Sequence, residues 1–339
     1  MTNTTFHDTT IRRASGGVLF ASGFRPFFLL AGLDAVANMG AWLAVYFRPE
    51  LWPESAMPAV YWHAHEMLFG FVAAAIGGFL LTAVPNWTGS PPYRGTPLYL
   101  LTAAWLCGRL AMLPFIPLTA AWRAVADLAF YPLLALTLAP RLIEARKLRN
   151  MMFLVLLTAL LTGNLLFHLG AASVITAGEH IGLMVGADIV TIMIVIVGGR
   201  ILPAFTRGGL AARGIRVEIA ADPWFERFSI LSILAMVAAD MAAPLSRISG
   251  GITLLAAIAQ IFRLSQWQGY RSLRIPLLWV LHLGYVWLAL GLLLKATWLL
   301  FAVPLAQNWI HAFTIGTFAL FLWSYAPILL SPRQDGMPG

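Results

Sequence analysis

The sequence predicts an all-α protein that crosses a membrane many times, and three observations support this prediction. Of the 339 residues, 60% are hydrophobic and only 11% are charged, and the mean hydropathy is +0.80. Soluble domains usually carry about 25% charged residues, so this chain lacks the polar side chains needed to cover a water-facing surface. The apolar residues also fall into long runs, with the basic residues between them. We therefore expect a polytopic bundle of helices surrounded by lipid.

The apolar runs have the length of membrane-spanning helices, which need about 20 mostly apolar residues. We expect about ten spans in a single membrane domain over residues 20–330, with a cytoplasmic tail at 1–19 and a short polar tail at 331–339. The predicted spans are Pro26–Phe47, Val60–Val84, Pro97–Phe115, Thr119–Pro140, Met151–Gly170, His180–Phe205, Trp224–Ala243, Ile248–Leu264, Ile275–Leu300 and Gln307–Leu330.

The basic residues alternate between the connections of these spans. One set of loops holds most of the arginines and lysines, whereas the other set holds little beyond Arg48 and Arg247. Cytoplasmic loops carry an excess of Lys and Arg. The alternation predicts a multi-pass protein of the bacterial inner membrane with both termini in the cytoplasm.

Charge and cysteine content exclude two other classes of function. The net charge is +8, but the basic residues lie in short loops and not on one polar face, so anionic lipid headgroups fit them better than nucleic acid does. Cys107 is the only cysteine, which excludes an intrachain disulfide and a thiolate metal cluster.

Five of the seven histidines fall at the predicted outer ends of spans; they are His63, His65, His168, His180 and His311. Neutral imidazole is the commonest metal ligand, and its second ring nitrogen usually needs an orienting acceptor. We expect these histidines to hold a metal or heme, with Glu66 orienting one imidazole. The alternative is that interfacial histidines simply tolerate the headgroup region.

The segment His63-Ala64-His65-Glu66 limits how such a site is built. Residues two apart on a helix point about 200° away from each other, so His63 and His65 are not expected to bind one ion. They would serve two different centres, such as a heme and a copper, or one of them would point to lipid. Phe69 follows His65-Glu66-Met67-Leu68 where a zinc protease would have histidine, so there is no hydrolase signature.

Acidic residues inside the spans are a second candidate feature; they are Asp34, Asp127, Asp188 and Asp240, with Lys295 as the expected cationic partner. Such groups relay protons or neutralise ligands, or they form ion pairs that fix helix packing. In the segment Gly198-Gly199-Arg200, the two glycines would let another helix or a flat ligand approach the backbone closely. Arg200 either binds a carboxylate such as a heme propionate or extends to the cytoplasmic surface.

Several motifs resemble the NnrS family over Phe20 to Gly316. They are Phe20-Ala21-Ser22-Gly23-Phe24-Arg25-Pro26-Phe27-Phe28, His63-Ala64-His65-Glu66-Met67 with Gly70, Thr82-Ala83-Val84-Pro85-Asn86-Trp87-Thr88-Gly89, Gly163-Asn164 with Phe167-His168, Gly198-Gly199-Arg200 with Pro203 and Phe205-Thr206-Arg207, and His311-Ala312-Phe313-Thr314. The resemblance implies a protein that contains heme and copper and helps bacteria to withstand nitric oxide and nitrosative stress.

The resemblance also implies roles for individual residues. His63, His65, His168 and His311 would bind the heme and copper, Arg200 would contact an acidic group of the cofactor, and Glu66 and His180 would support the ligands. Nitric oxide or a related small molecule would be the partner, with redox chemistry on nitric oxide-derived species as the expected reaction class; no catalytic residue is assigned. Family members usually have about 12 spans, so we expect this chain to be shortened at its C-terminus.

Two other functions are compatible with the same residues. One is a proton-coupled transporter that uses the intramembrane aspartates, and the other is a structural subunit of a respiratory membrane complex. Substrate uptake by metal-free protein would indicate the first. Stable copurification with larger partners and no cofactor would indicate the second.

Overall fold

The computed structural model describes residues 18–53, 57–146, 148–219 and 222–312, and these ranges are helical with no strand among them. The long helices of the described ranges are α1 (Phe24–Phe47), α2 (Ala59–Thr88), α3 (Thr96–Ala111), α4 (Ala120–Glu144), α5 (Leu148–Ala171), α6 (Gly178–Ala211), α7 (Pro223–Ala242), α8 (Arg247–Gln266) and α9 (Pro276–Phe301). This confirms the all-α prediction.

Seven of these helices are long and apolar enough to cross a membrane: α1, α2, α4, α5, α6, α8 and α9. The chain is therefore a multi-pass membrane protein. Helix α3 has only 16 residues, and most of the predicted span Gln307–Leu330 lies outside the described residues. The count of ten spans, the placement of both termini and the choice of the bacterial inner membrane stay predictions.

The chain divides into two compact units, Met1–Val155 and Leu156–Gly339. Unit 1 contains α1 to α4 and the beginning of α5, and unit 2 contains the rest of α5 and α6 to α9. The expectation of a single membrane domain over residues 20–330 stays a prediction.

Helix α2 is the central helix of unit 1 and is mostly buried, whereas α1 exposes most of its surface. Close packing depends on Gly77 and Gly78 of α2. A methyl group at Gly77 would lie 2.9 Å from the ring of Phe130, and one at Gly78 would lie 2.8 Å from the ring of Phe28. The small residues therefore let aromatic side chains of α4 and α1 reach the α2 backbone.

Helix α2 widens into a π-helical turn at Glu66–Phe71, directly after His65. The wider turn changes the regular pattern of backbone hydrogen bonds, and such turns are frequent at functional sites. The carbonyl oxygen of Gly70 in this turn accepts a hydrogen bond from Trp105 Nε1 of α3 at 3.0 Å. Helix α3 thereby fixes the turn in place.

In unit 2, the Gly198-Gly199 pair of α6 accommodates two buried side chains of the neighbouring helices. A methyl group at Gly199 would lie 2.0 Å from the guanidinium of Arg263 on α8, and one at Gly198 would lie 2.8 Å from the ring of Tyr285 on α9. The close approach predicted at these glycines is thus made by side chains of α8 and α9.

Candidate metal centre

His65 lies at the centre of a buried polar cluster in unit 1, and its side chain has no exposed surface. Its Nδ1 is 3.1 Å from Glu66 Oε1, and its Nε2 is 3.1 Å from Asp127 Oδ2 of α4. The π-helical turn that begins at Glu66 therefore holds a carboxylate next to the imidazole, and α4 supplies a second carboxylate on the other side of the ring.

Arg109 of α3 connects the same two carboxylates. Its Nη1 donates to Glu66 Oε1 at 2.6 Å, and its Nη2 forms a short contact with Asp127 Oδ1. Two glycines provide the space for this arrangement. A methyl group at Gly70 would lie 2.6 Å from Arg109 Nη1, and one at Gly108 would lie 3.2 Å from Asp127 Oδ1.

The cluster carries more acidic groups than basic ones. Asp34 of α1 is near enough for its charge to interact with those of Glu66 and Arg109. With all three carboxylates ionised, the net charge of these groups with Arg109 and His65 would be −2 for a neutral imidazole and −1 for a protonated one. An uncompensated charge in a buried site is costly. A bound cation would neutralise this surplus.

Three buried oxygen atoms of unit 1 also have no hydrogen-bond partner among the described residues: Asp34 Oδ2, Thr102 Oγ1 and the hydroxyl of Tyr131. Tyr131 is four residues after Asp127 and therefore lies on the same face of α4. Buried polar groups are usually satisfied, and those that are not often face an ion, water or ligand. The atoms of Asp34 and Tyr131 are consistent with a ligand beside Asp127.

The donor atoms fit a transition-metal ion. Imidazole nitrogen and carboxylate oxygen are both ligands for copper and iron, and Glu66 on the Nδ1 side of His65 matches the carboxylate–histidine–metal arrangement. His65 and Asp127 belong to a buried group of side chains whose ligand atoms are close enough to hold one ion. The site can thus bind a metal; whether the ion is copper or heme iron stays a prediction.

The other histidine of the motif contacts a different helix. The His63 ring stacks on Trp42 of α1, with ring centres 4.6 Å apart and an interplanar angle of 13°. His65 instead faces Asp127 of α4. The two rings therefore point to different surroundings, as the spacing of two residues predicts. A cofactor at His63 stays a prediction.

The remaining predicted site residues belong to unit 2. His168 is buried near the end of α5, with its ring edge-on to Phe167 at 5.8 Å between ring centres. Arg200 is half-buried, and the side chains of His180 and His311 are exposed. Their roles toward heme or copper stay predictions.

Sequence reasoning missed Arg109 and gave Asp127 no defined role. Arg109 lies inside the predicted span Pro97–Phe115, and an arginine within an apolar run is itself a signal of a buried partner. The sequence does not show that Arg109 pairs with Glu66 and Asp127, because α3 and α4 come next to His65 only when the helices pack.

The comparison with protein families supports the resemblance that the sequence motifs indicate. The family model described as NnrS protein matches residues 18–322. No curated protein and no solved structure matches the chain. The expected shortening at the C-terminus stays a prediction. Because the match covers almost the whole sequence, the chain carries a nearly complete NnrS domain and belongs to the NnrS family.

Proposed function

We propose that this NnrS-family protein binds copper and heme in the bacterial inner membrane and protects the cell against nitric oxide and nitrosative stress. The observation that supports this proposal most directly is the fully buried His65 between Glu66 and Asp127. A buried imidazole with one oriented nitrogen and a second nitrogen beside a carboxylate is suited to bind a metal. The family match supports the same conclusion.

In this proposal His65 and Asp127 hold a metal ion, and His63, His168, His311 and Arg200 hold cofactors as the family resemblance implies. Glu66 keeps the His65 ring in one orientation through Nδ1. Arg109 holds both carboxylates through its two terminal nitrogens. A bound copper ion or heme iron would supply an open position at which nitric oxide or a related species binds.

The surroundings of His65 favour a small uncharged partner. The Phe69 ring lies 5.3 Å from the His65 ring between centres, and Trp62 and Phe69 are buried nearby on α2. The side chains around His65 are buried, so a small partner fits this site better than a large one. Nitric oxide is small and uncharged, so an apolar route through lipid and protein does not exclude it.

A bacterial strain that is sensitive to nitric oxide provides the test. Expression of the wild-type chain is expected to shorten the growth arrest that follows a nitric oxide dose. His65→Ala is expected to lose this protection, because it removes the central imidazole. Arg94→Ala is the control, since its side chain is exposed and belongs to no predicted site, and it should protect as the wild type does.

Membrane fractions from the same cells then separate turnover from indirect protection. Loss of dissolved nitric oxide at an electrode, dependent on His65, indicates redox chemistry on nitric oxide itself. Unchanged growth arrest in the wild type, at verified membrane levels of the protein, contradicts the proposed function. Full protection by His65→Ala contradicts the assignment of the site.

A further inference from the structure

A second buried charge cluster lies entirely within unit 2. Lys295 of α9 donates to Asp240 Oδ2 of α7 at 2.5 Å, and the same Nζ is 3.6 Å from Asp188 Oδ1 of α6. Ser249 of α8 forms a short hydrogen bond with the other oxygen of Asp240. The indole ring of Trp309 lies 4.8 Å from Lys295 Nζ, which is a cation–π distance. Side chains of α6 and α7 and the Trp309 ring therefore surround the ammonium group of α9, and α8 contacts Asp240. We call Asp188, Asp240 and Lys295 the triad.

The triad has one carboxylate more than its cation can neutralise. The exposed fractions of the side chains are 6% for Asp188, 14% for Asp240 and 7% for Lys295. With all three groups ionised, the net charge of the triad would be −1. An unpaired carboxylate in the membrane interior costs about 2.5 kcal/mol or more on insertion scales. Some positive charge has to compensate it.

Among the described residues of unit 2, the other charged side chains of α6, α7 and α9 are too far away to neutralise the surplus negative charge of the triad. On α6, His180, Glu179 and Arg200 are eight, nine and twelve residues from Asp188, or about 12, 13 and 18 Å along the helix axis. On α7, Glu226 and Arg227 are at least 13 residues from Asp240, and on α9 His282 is 13 residues from Lys295, about 20 Å along each axis.

The basic residues of α8 and the histidine after Trp309 do not compensate it either. Arg263 binds Glu226, and the side chain of Arg247 is exposed. His311 is also exposed. The charged groups that act on Asp188 are Lys295 and Asp240. The missing positive charge therefore has to come from outside the described protein groups.

A further buried polar atom lies on the face of α8 that contacts Asp240. The hydroxyl of Thr253 is fully buried and has no hydrogen-bond partner among the described residues. Thr253 is four residues after Ser249, so it lies one turn along the same face of α8 that contacts Asp240. Asp240 itself is two residues from the end of α7, and its partly exposed side chain gives the triad access to that end of unit 2.

We propose that the triad is a proton-binding site. One carboxylate stays paired with Lys295, and the surplus carboxylate takes up one proton and becomes a neutral carboxylic acid. A metal cation is a poor fit, because the Lys295 ammonium is in direct contact with both carboxylates and repels it. The site gives unit 2 a place to store and release a proton, independently of whether the His65 centre binds a metal.

Infrared spectroscopy of the purified full-length protein with ¹³C-labelled aspartate tests the proposal. At neutral pH the wild type should show the carbonyl stretch of protonated aspartic acid, and this signal should disappear as the pH is raised. Asp188→Asn should lose the part of the signal that belongs to the triad, about one carboxylic acid per protein, because the remaining Asp240–Lys295 pair is neutral without a proton; Asp34 of the His65 cluster is unchanged in this variant. Asp240→Asn should lose the same part for the same reason. Asp222→Asn, which changes an exposed aspartate, is the control and should leave the signal at neutral pH unchanged.

A variant that should increase the signal distinguishes loss of the proton site from loss of folding. Lys295→Met removes the only cation of the triad, so both carboxylates should then be protonated at neutral pH and the signal should rise by about one carboxylic acid per protein. A wild type whose signal at neutral pH is no larger than that of both asparagine variants overturns the proposal. So does a signal that does not rise in Lys295→Met.

Discussion

Arg109→Gln is expected to lower the free energy of unfolding by about 3–5 kcal/mol, because it removes the only arginine of a buried cluster that contains Glu66 and Asp127. Both carboxylates are almost fully buried and would lose a charged hydrogen-bond donor each. Breaking one side of a buried ion pair is much more costly than removing a surface pair, since the remaining charge has no compensation.

Thermal unfolding of the detergent-purified variant measures this effect. Arg94→Gln is the matched control in unit 1, because its side chain is exposed, and its stability should stay within about 0.5 kcal/mol of the wild type. Adding Asp127→Asn to Arg109→Gln should restore part of the lost stability, since it removes one of the uncompensated carboxylates. Equal stability of Arg109→Gln and wild type would contradict the buried cluster.

Arg263→Met is expected to be similarly destabilising, by about 3 kcal/mol or more. The Arg263 side chain has 1% exposure, and its nitrogens donate to Glu226, to the carbonyl oxygen of Val195 at 2.8 Å and to the hydroxyl of Tyr285 at 2.9 Å. One guanidinium thus joins α6, α7, α8 and α9. Methionine fills much of the volume but leaves each of these polar groups without its donor.

Arg263→Lys makes the test specific. Lysine keeps the charge but cannot reproduce the planar set of donors, so it should recover only a small part of the stability. Arg213→Met, at an exposed arginine of the same unit, should change thermal stability little. Full stability in Arg263→Lys would show that charge alone matters and that the forked hydrogen bonding does not.

The sequence predicts the positions of helices well where the length of an apolar run determines them. The predicted span Val60–Val84 corresponds to α2 at Ala59–Thr88. The predicted span Pro97–Phe115 was too long at its end, because α3 ends at Ala111, ahead of Pro114, and a proline disfavours helix in the residue before it. Helix α6 continues to Ala211, six residues beyond the predicted end, because backbone hydrogen bonding does not stop where apolar side chains do.

The site was predictable only in part. The sequence identifies His65 and its neighbour Glu66, because adjacent residues need no knowledge of packing. The contacts of His65 with Asp127 and of Arg109 with both carboxylates join α2, α3 and α4, and no local pattern encodes them. No periodicity of the sequence predicts the π-helical turn that positions Glu66. Tertiary packing therefore defines the site beyond its first two residues.

The central claim is that the cluster around His65 binds a metal cofactor, and one measurement tests it most directly. The wild-type chain and its His65→Ala variant are purified from cells supplied with heme and copper, and each is analysed for bound copper and for its optical spectrum. We expect the wild type to carry copper and a heme Soret band, and His65→Ala, with unchanged folding, to lose one of the two signals. A wild type with neither signal, or a His65→Ala variant that retains both, would contradict the account.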